Sequence, residues 1–503
     1  MNSKRKIISF LILSFFLLPF SFCSQHPDIE KITILYWNDF HAAFDPYPAS
    51  DDSTSPLVSG SAFFCAYLDS LKKKDKDVIL VCAGDELVGS PLSTIAKGKM
   101  EFELLNMIHP DVFELGNHEF DNGLKNLEEL IKSAKFPIIC ANVVVESTGI
   151  GLVTPYVTRQ RGKARIAFLG LNTDELKEIV TKQGTVGLKV KSVKKTLKEY
   201  LEPLKKKNDL VILVSHMGYE GDKKIAKEFE GINVIIGGHS HTRLKNPEVI
   251  NKTIICQAGS RGRYIGKLDL ILDLRKDKIL NYDNELIETI NDRVSPNTLI
   301  QAKIDSLEKK LAPDLQKVIG RLSIPWKRNF EGESNLGDWE ADVMREYTKA
   351  DVAFINSGGM RKNLPKGPIR VKDIWEINPF SDNFVSFYLT REQLLKALEI
   401  NCSADYELMQ VSGVRYVYDP KRPKGKRIIE AWVKGKPLLP EKKYKITIND
   451  YMVDQSERFI GIDNGKLDCK IYPELDRDIY IKAVKKQKVI ASKIEGRIKK
   501  VEK

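Results

Sequence analysis

The stretch Phe113-Glu114-Leu115-Gly116-Asn117-His118-Glu119-Phe120-Asp121 decides the fold prediction, because a short apolar run ends at a glycine and opens into polar side chains. An amide, an imidazole and two carboxylates follow within five residues. Nitrogen and oxygen ligands of this kind suit divalent cations. A buried strand that ends in such side chains is therefore a candidate position for a metal site.

Similar clusters follow other apolar runs of the first half. Five of the seven histidines of the chain belong to these clusters or to the stretch above. The clusters are Asn38-Asp39-Phe40-His41, Gly84-Asp85, Ser215-His216 and Gly237-Gly238-His239-Ser240-His241. We therefore expect all of them to meet at one place in space.

A pair of divalent cations needs a shared anionic bridge together with neutral nitrogen and oxygen ligands. The clusters supply that set, and the candidate metal ligands are Asp39, His41, Asp85, Asn117, His216, His239 and His241. A two-metal site polarises a phosphoryl group and makes hydroxide available near neutral pH. The chemistry that the residues indicate is hydrolysis of a phosphoric ester.

The bulk composition favours a two-domain globular protein. The chain has 503 residues, of which 42% are hydrophobic and 29% charged, and this length exceeds one ordinary domain. Its formal charge of +12 comes from lysines scattered along the chain. A general nucleic-acid binder would instead concentrate basic residues in a stripe with interleaved aromatics, so we expect no nucleic-acid partner.

The N-terminus has the pattern of an export signal. A basic segment at residues 2–6 precedes an apolar run at residues 7–22, as in secretory signal peptides. We predict a signal peptide at residues 1–23 and a location in the periplasm or at the cell surface. Cys23 offers a site for lipid attachment, although Phe22 stands where the bacterial lipoprotein pattern has a small residue. An uncleaved membrane anchor is the alternative.

The order of apolar runs predicts the architecture. Short apolar strands alternate with amphipathic helices in the first half, which is typical of α/β folds. Residues 249–258 and 264–274 are predicted to pair as antiparallel strands. A polar helix at residues 299–311 separates this half from a strand-rich α+β half. The predicted domains are 24–296 and 318–503, with the linker helix at 297–317.

The metal-ligand motifs, in this order, resemble the calcineurin-like metallophosphoesterases. In the second half, Ser334-Asn335-Leu336-Gly337-Asp338 and Asn356-Ser357-Gly358-Gly359-Met360-Arg361 resemble the C-terminal domain of the 5′-nucleotidases. The resemblance implies an N-terminal layered α/β/β/α metallophosphoesterase domain. A second, smaller α+β domain that binds the substrate would follow, joined by the linker helix.

The resemblance also implies roles for single residues. Asp39, His41, Asp85 and His241 would hold one cation, and Asp85, Asn117, His216 and His239 the other. His118 would face the phosphate, oriented by Asp121, while Glu119 would be structural. The implied substrate-binding residues are Asn356, Arg361, Phe380, Tyr451 and Glu457, with the base stacked between Phe380 and Tyr451.

Some positions depart from the family pattern. The Pro-Phe-Gly turn appears as Pro379-Phe380-Ser381, the Gly-Gly-Asp-Gly loop as residues 455–458, and an arginine before the Asn-Leu-Gly motif is replaced by Gly332. Lost glycines change how closely the backbone can approach a ligand. The hydrolytic chemistry thus follows from the motifs, and the leaving group stays open.

The resulting expectation is an exported hydrolase with two divalent cations (Zn, Mn, Mg or similar). Its substrate would be a small phosphorylated molecule, foremost a nucleoside 5′-monophosphate, attacked by hydroxide on the metal pair. The alternatives are the same metal centre acting on nucleotide sugars, cyclic nucleotides or a sulfur ester. An alternative of another class is a surface ligand-binding protein that retains the fold.

Overall fold

The computed structural model describes residues 28–501, apart from 51–54, 76, 181, 312, 381 and 404–406. The predicted signal peptide and Cys23 lie outside these residues. Within the described part, no helix has the length and apolar character needed to cross a membrane. The cysteines of this part are free thiols, and all but Cys469 are buried.

The first half of the described chain alternates strands and helices. Its strands are β1 Ile29–Trp37, β2 Tyr47–Pro48, β3 Leu57–Val58, β4 Ile79–Cys82, β5 Val112–Glu114, β6 Ile138–Ile139, β7 Val143–Val145, β8 Tyr156–Arg161, β9 Ala164–Asn172, β10 Leu188–Val190, β11 Leu210–His216, β12 Val234–Gly237, β13 Glu248–Ile250, β14 Thr253–Cys256, β15 Tyr264–Asp273 and β16 Lys278–Glu288. Its helices are α1 Ser61–Lys74, α2 Pro91–Ala96, α3 Lys99–Ile108, α4 Leu124–Ser133, α5 Leu176–Ile179, α6 Lys182–Thr185, α7 Val193–Lys205 and α8 Tyr219–Glu228.

Two six-stranded sheets form the centre of this half, in the strand orders β16-β15-β1-β4-β5-β6 and β13-β14-β12-β11-β9-β8. Apolar side chains from both sheets, among them Val81, Phe168 and Val214, form one fully buried cluster between them. Helices α1, α3 and α4 cover the outer face of the first sheet. Helices α7 and α8 cover the second sheet, so the predicted α/β/β/α layering is confirmed.

The predicted pairing of residues 249–258 with 264–274 is wrong. Strands β13 and β14 pair with each other in the second sheet, whereas β15 pairs with β1 and β16 in the first. Ile254 and Cys256 of β14 face the core between the sheets while the backbone of β14 pairs with β12. The chain therefore crosses from one sheet to the other between β14 and β15.

Helix α9, Thr298–Leu311, leads to the second half. The strands there are β17 Val318–Leu322, β18 Val352–Asn356, β19 Gly367–Arg370, β20 Asn383–Leu389, β21 Met409–Ser412, β22 Val414–Tyr418, β23 Ile428–Val433, β24 Lys436–Pro437, β25 Tyr444–Asn449, β26 Lys470–Leu475, β27 Val489–Ile490 and β28 Ile498–Lys500. The helices are α10 Asn335–Thr348, α11 Val371–Ile377, α12 Arg391–Ser403, α13 Asp450–Asp454, α14 Ser456–Ile460 and α15 Asp476–Gln487.

A five-stranded sheet of order β21-β18-β25-β20-β26 organises this second half. Smaller sheets of three and four strands flank it. Helix α12 packs on one face of this sheet, and α10 and α15 pack on the other face. Each face has its own buried apolar cluster. The second half is therefore a separate α+β unit, as predicted, while the exact domain boundaries stay predictions.

Candidate metal centre and substrate cleft

The candidate ligands gather because parallel strands end at a common edge. Strands β1, β4 and β5 run parallel in the first sheet, and β11 and β12 run parallel in the second. Backbone hydrogen bonds tie the segment after β1 to that after β4, from Asp39 N to Gly84 O (2.9 Å) and from His41 N to Asp85 O (3.0 Å). All seven predicted ligands lie at these strand ends.

One group of candidate ligands comprises Asp39, His41 and His241. The Nε2 atoms of the two histidines lie 2.9 Å apart, and His241 Nε2 lies 3.4 Å from Asp39 Oδ1. Two ring nitrogens at this distance can converge on one cation.

A second group comprises Asp85, His216 and His239. His216 Nε2 lies 3.2 Å from Asp85 Oδ2. The predicted fourth ligand, Asn117, places its Oδ1 atom 2.9 Å from His239 Nδ1. Asp85 also groups with His41 and His118, so it lies between the two sets.

The backbone at these positions is unusual. Five of the candidate ligands have a positive φ angle, namely Asp39 (51°), His41 (51°), Asp85 (58°), His239 (73°) and His241 (54°). A non-glycine residue in a sparsely populated backbone region costs about 1–3 kcal/mol and persists where the surroundings enforce it. The local fold therefore holds these side chains in place at an energetic cost, as is common at functional sites.

The donor set fits a divalent cation. His216 Nδ1 lies 2.7 Å from the backbone oxygen of Ala83, which fixes the ring so that its other nitrogen points into the cluster. That Nε2 atom is buried, and although Asp85 Oδ2 lies 3.2 Å away, it makes no well-aligned hydrogen bond with a described residue. A lone pair in this position is what a metal ligand requires.

Electrostatics act differently on the histidines of the cluster, because burial lowers the pKa of His41 and lowers that of His239 to about 4, whereas the carboxylates favour a charged ring at His216. Burial alone would lower the pKa of His216, but Asp85 and Asp39 outweigh it and raise this pKa to about 10. Burial likewise opposes ionisation of Asp85, yet His216 and His118 hold its pKa well below the usual range. The same buried carboxylates would attract a cation.

His118 and Asp121 form the predicted dyad. His118 Nδ1 lies 2.6 Å from Asp121 Oδ2. Burial works against the charged ring, but Asp121 and Asp85 raise the pKa of His118 above its ordinary value. His118 also stands within ligand distance of His41 and Asp85, so its separate role from the ligands stays a prediction.

Glu119 connects the loops that carry the ligands. Its carboxylate accepts hydrogen bonds from the backbone N–H groups of Asp85 (3.0 Å), Glu86 (2.8 Å), Leu87 (3.3 Å) and Gly116 (2.7 Å). One buried side chain thus joins the segment after β4 to the segment after β5. Glu119 is the structural support that the resemblance implied.

Two of the predicted substrate-binding residues reach the cluster from the second half. Arg361 Nη2 lies 3.4 Å from His41 Nε2. The Phe380 ring centroid lies 6.2 Å from that of His118 and 6.0 Å from the Arg361 guanidinium. The candidate site is therefore composed of residues from both halves of the chain.

Among the described residues, the other three predicted substrate residues form no hydrogen bond, ion pair or ring contact with the candidate metal ligands. Asn356 ends β18, where its Oδ1 accepts from Asn449 Nδ2 at 3.3 Å. Tyr451 lies on α13, and burial raises its pKa to about 12. Glu457 is exposed on α14, where it lines a cleft of about 800 Å³ that also includes Glu175 and Glu178. That cleft contains none of the other predicted site residues.

Sequence reasoning missed two arginines near the cluster. Arg261 donates its backbone N–H to Asp39 O at 2.7 Å, and Arg328 Nη1 donates to Met360 O at 3.0 Å. Burial, together with the charges of Arg361 and Arg261, lowers the pKa of Arg328 to about 10. No local motif marks either residue, because contacts between segments distant in sequence bring them here.

Two family models match the chain, one in each of its two halves. Residues 32–243 match the calcineurin-like phosphoesterases, and residues 318–462 match the 5′-nucleotidase C-terminal domain. The chain belongs to the 5′-nucleotidase family. It is accordingly a hydrolase of phosphoric esters, of a class that uses divalent metals, and its second domain is the 5′-nucleotidase C-terminal domain.

Known relatives span almost the whole chain. The 5′-nucleotidase of Rattus norvegicus is 27% identical, over 93% of this chain and 90% of its own length. The solved structure of a 5′-nucleotidase precursor from Thermus thermophilus superposes with a TM-score of 0.87 at 26% identity, covering 94% of this chain and 100% of that chain. The sulfate thiohydrolase SoxB of Thermus thermophilus (TM-score 0.83, 18% identity, 94% and 97% covered) shares the fold.

Proposed function

We propose that this 5′-nucleotidase family member is an exported enzyme that uses two divalent cations to release phosphate from nucleoside 5′-monophosphates. The observation that carries the proposal is the composite site. Arg361 and Phe380 of the second domain reach His41 and His118 of the metal cluster. A substrate with a phosphate and a planar leaving group would contact both domains at once.

The cations would be held by Asp39, His41, Asp85, Asn117, His216, His239 and His241, with Asp85 shared. When bound, they would polarise the phosphoryl group and supply hydroxide near neutral pH. Arg361 would neutralise phosphate oxygens through its planar fork of N–H groups.

His118 would stabilise the charge that develops on phosphorus and donate a proton to the departing oxygen. Asp121 accepts from Nδ1 and so orients the ring. This bond leaves Nε2 for the substrate.

The leaving group would be held by the second domain. Phe380 and Tyr451 would stack on the base, which is a sequence-tolerant source of affinity. Asn356 would add a polar contact, and Glu457 would meet the ribose.

Export is supported by the basic residues Lys4, Arg5 and Lys6 and by the apolar run at residues 7–22. Membrane attachment through Cys23 would require cleavage before this residue rather than after it.

A substrate panel tests this function. Dialysed, metal-restored enzyme would be assayed with nucleoside 5′-monophosphates, a nucleotide sugar, a cyclic nucleotide, an aryl phosphate and a sulfur ester. We expect the highest kcat/KM with a nucleoside 5′-monophosphate. A higher value with any other member of the panel would refute the proposed substrate, and turnover of none would favour a binding protein.

A further inference from the structure

Glu407 is a carboxylate of the second domain that no motif singles out. It precedes β21, and β21 pairs with β18 so that Met409 lies opposite Asn356. Its Oε2 atom accepts a hydrogen bond from the backbone N–H of Gly358. Glu407 therefore lies against the turn that connects Asn356 to Arg361, two of the proposed substrate-binding residues.

The approach of Glu407 to this turn is close. A Cβ atom placed on Gly358 would lie 2.8 Å from Glu407 Oε2, so any larger residue at this position would displace the carboxylate. The residue after Glu407, Leu408, donates its backbone N–H to Phe330 O at 2.8 Å. This hydrogen bond holds the segment that carries Glu407. The Ser357 hydroxyl donates to Leu408 O, and the carboxylate is thereby fixed in position.

The second carboxylate oxygen of Glu407 is not engaged. Among the described residues, Oε1 has no hydrogen-bond donor and is not one of the fully buried polar atoms that lack a partner, so it is not fully buried. Glu407 also forms no ion pair with a described residue. A half-buried carboxylate usually has a partner, and a ligand can supply one here.

The charged and aromatic residues around Glu407 belong to the proposed substrate-binding site. Burial raises the pKa of Glu407, and the charges of Arg458 and Arg361 act in the opposite direction. The charge of Glu407 in turn contributes to the raised pKa of Tyr451. Glu407 thus lies within electrostatic range of the arginine proposed for the phosphate and of the ring proposed for the base.

We propose that Glu407 is a specificity-determining residue whose Oε1 atom accepts a hydrogen bond from an O–H or N–H group of the substrate's leaving group. The inference rests on the proposed function. It adds a second carboxylate to the proposed leaving-group site besides Glu457, which lines a cleft that does not include Glu407.

The test compares Glu407→Gln with wild type on four substrates. Glutamine keeps an oxygen for the Gly358 N–H but presents an NH₂ group to the substrate. Hydrogen bonds to charged groups are worth about 1.5–3 kcal/mol, so kcat/KM for adenosine 5′-monophosphate should fall about tenfold or more. The rate with an aryl phosphate, which lacks these donors, should not change. Glu441→Gln, at an exposed glutamate of the same domain, is the control and should behave as wild type.

Two further substrates show which group of the nucleotide donates the hydrogen bond to Glu407. If the ribose hydroxyls bind Glu407, the variant should lose nothing with the 2′,3′-dideoxy nucleotide. If the base amine binds it, the variant should lose nothing with inosine 5′-monophosphate. Equal losses on all substrates, or no loss on any, would overturn the inference while the wild-type rate with adenosine 5′-monophosphate upholds the proposed function. Absence of that wild-type rate would overturn both.

Discussion

At the scale of single residues, His118 is the side chain whose role is most sharply testable. It is bonded to Asp121 at 2.6 Å, yet it also lies within ligand distance of His41 and Asp85. A catalytic role and a ligand role therefore predict different consequences of its loss. Only metal content can separate them, because activity falls in both cases.

We expect His118→Ala to bind as much metal as wild type and to lose rate. A general acid or charge stabiliser contributes about 10²–10⁴-fold, so kcat should fall within that range. Metal content by elemental analysis and kcat with a nucleoside monophosphate are the measurements. His109→Asn, at an exposed histidine after α3 with a positive φ of 59°, serves as the control. Loss of metal from the His118 variant would make His118 a ligand.

At the scale of secondary-structure elements, the site depends on how the ends of β4 and β5 are joined. Glu119 supplies this connection by accepting from backbone N–H groups of both segments. Side chains that support metal ligands typically contribute 10–100-fold to metal affinity or activity. A glutamine at this position would turn an NH₂ group toward N–H donors.

Glu119→Gln should therefore weaken metal binding about 10–100-fold while the protein stays folded. Metal titration followed by calorimetry, with thermal unfolding in parallel, measures both effects. Glu129→Gln removes one partner of an exposed 3.8 Å ion pair with Lys99, and such pairs contribute little, so its metal affinity should equal that of wild type. An unchanged affinity in the Glu119 variant would show that the loops hold their ligands without it.

The elements that sequence reasoning predicted correctly are those with a local signal. Strands β4 and β11 are short apolar runs, and every predicted ligand follows such a run directly. Strand β16 was missed because most of its side chains are exposed or half-buried and polar. Without β16, the predicted partner of β15 was the nearest apolar segment, and that pairing was wrong.

Residues of the site that come together only through packing had no such signal. Arg261 and Glu407 belong to no motif, and their positions depend on contacts between segments distant in sequence. His216 and His239, in contrast, were predicted because each ends or follows a buried strand. The gathering of the candidate metal ligands could thus be predicted from sequence, whereas the approach of Arg261 and Glu407 could not.

At the scale of the whole molecule, the two domains also contact each other outside the candidate site. Lys372 of α11 forms ion pairs with Asp45 of the first domain and with Glu308 of α9, the latter at 3.5 Å. The hydroxyl of Thr94 donates to Pro379 O at 2.9 Å. These contacts hold the loop that carries Phe380 next to the metal cluster, so substrate selection should depend on the second domain.

Tyr451→Ala should consequently reduce nucleotide turnover more than turnover of an aryl phosphate. Base–aromatic stacking is worth about 1–3 kcal/mol, which predicts a loss of about tenfold in kcat/KM for the nucleotide. Tyr388→Ala, which removes a 62% exposed ring of the same domain, is the control and should change neither substrate. Equal losses on both substrates would assign Tyr451 a structural role.

The central claim is that a two-metal cluster in the first domain performs the hydrolysis. The direct test is phosphate release from adenosine 5′-monophosphate by chelator-dialysed enzyme, measured as Mn²⁺ is added back. We predict no release without metal and full activity at two equivalents per chain, with Asp85→Asn inactive at every concentration because both sets of ligands share Asp85. Turnover by the metal-free enzyme, or saturation at one equivalent, would contradict the account.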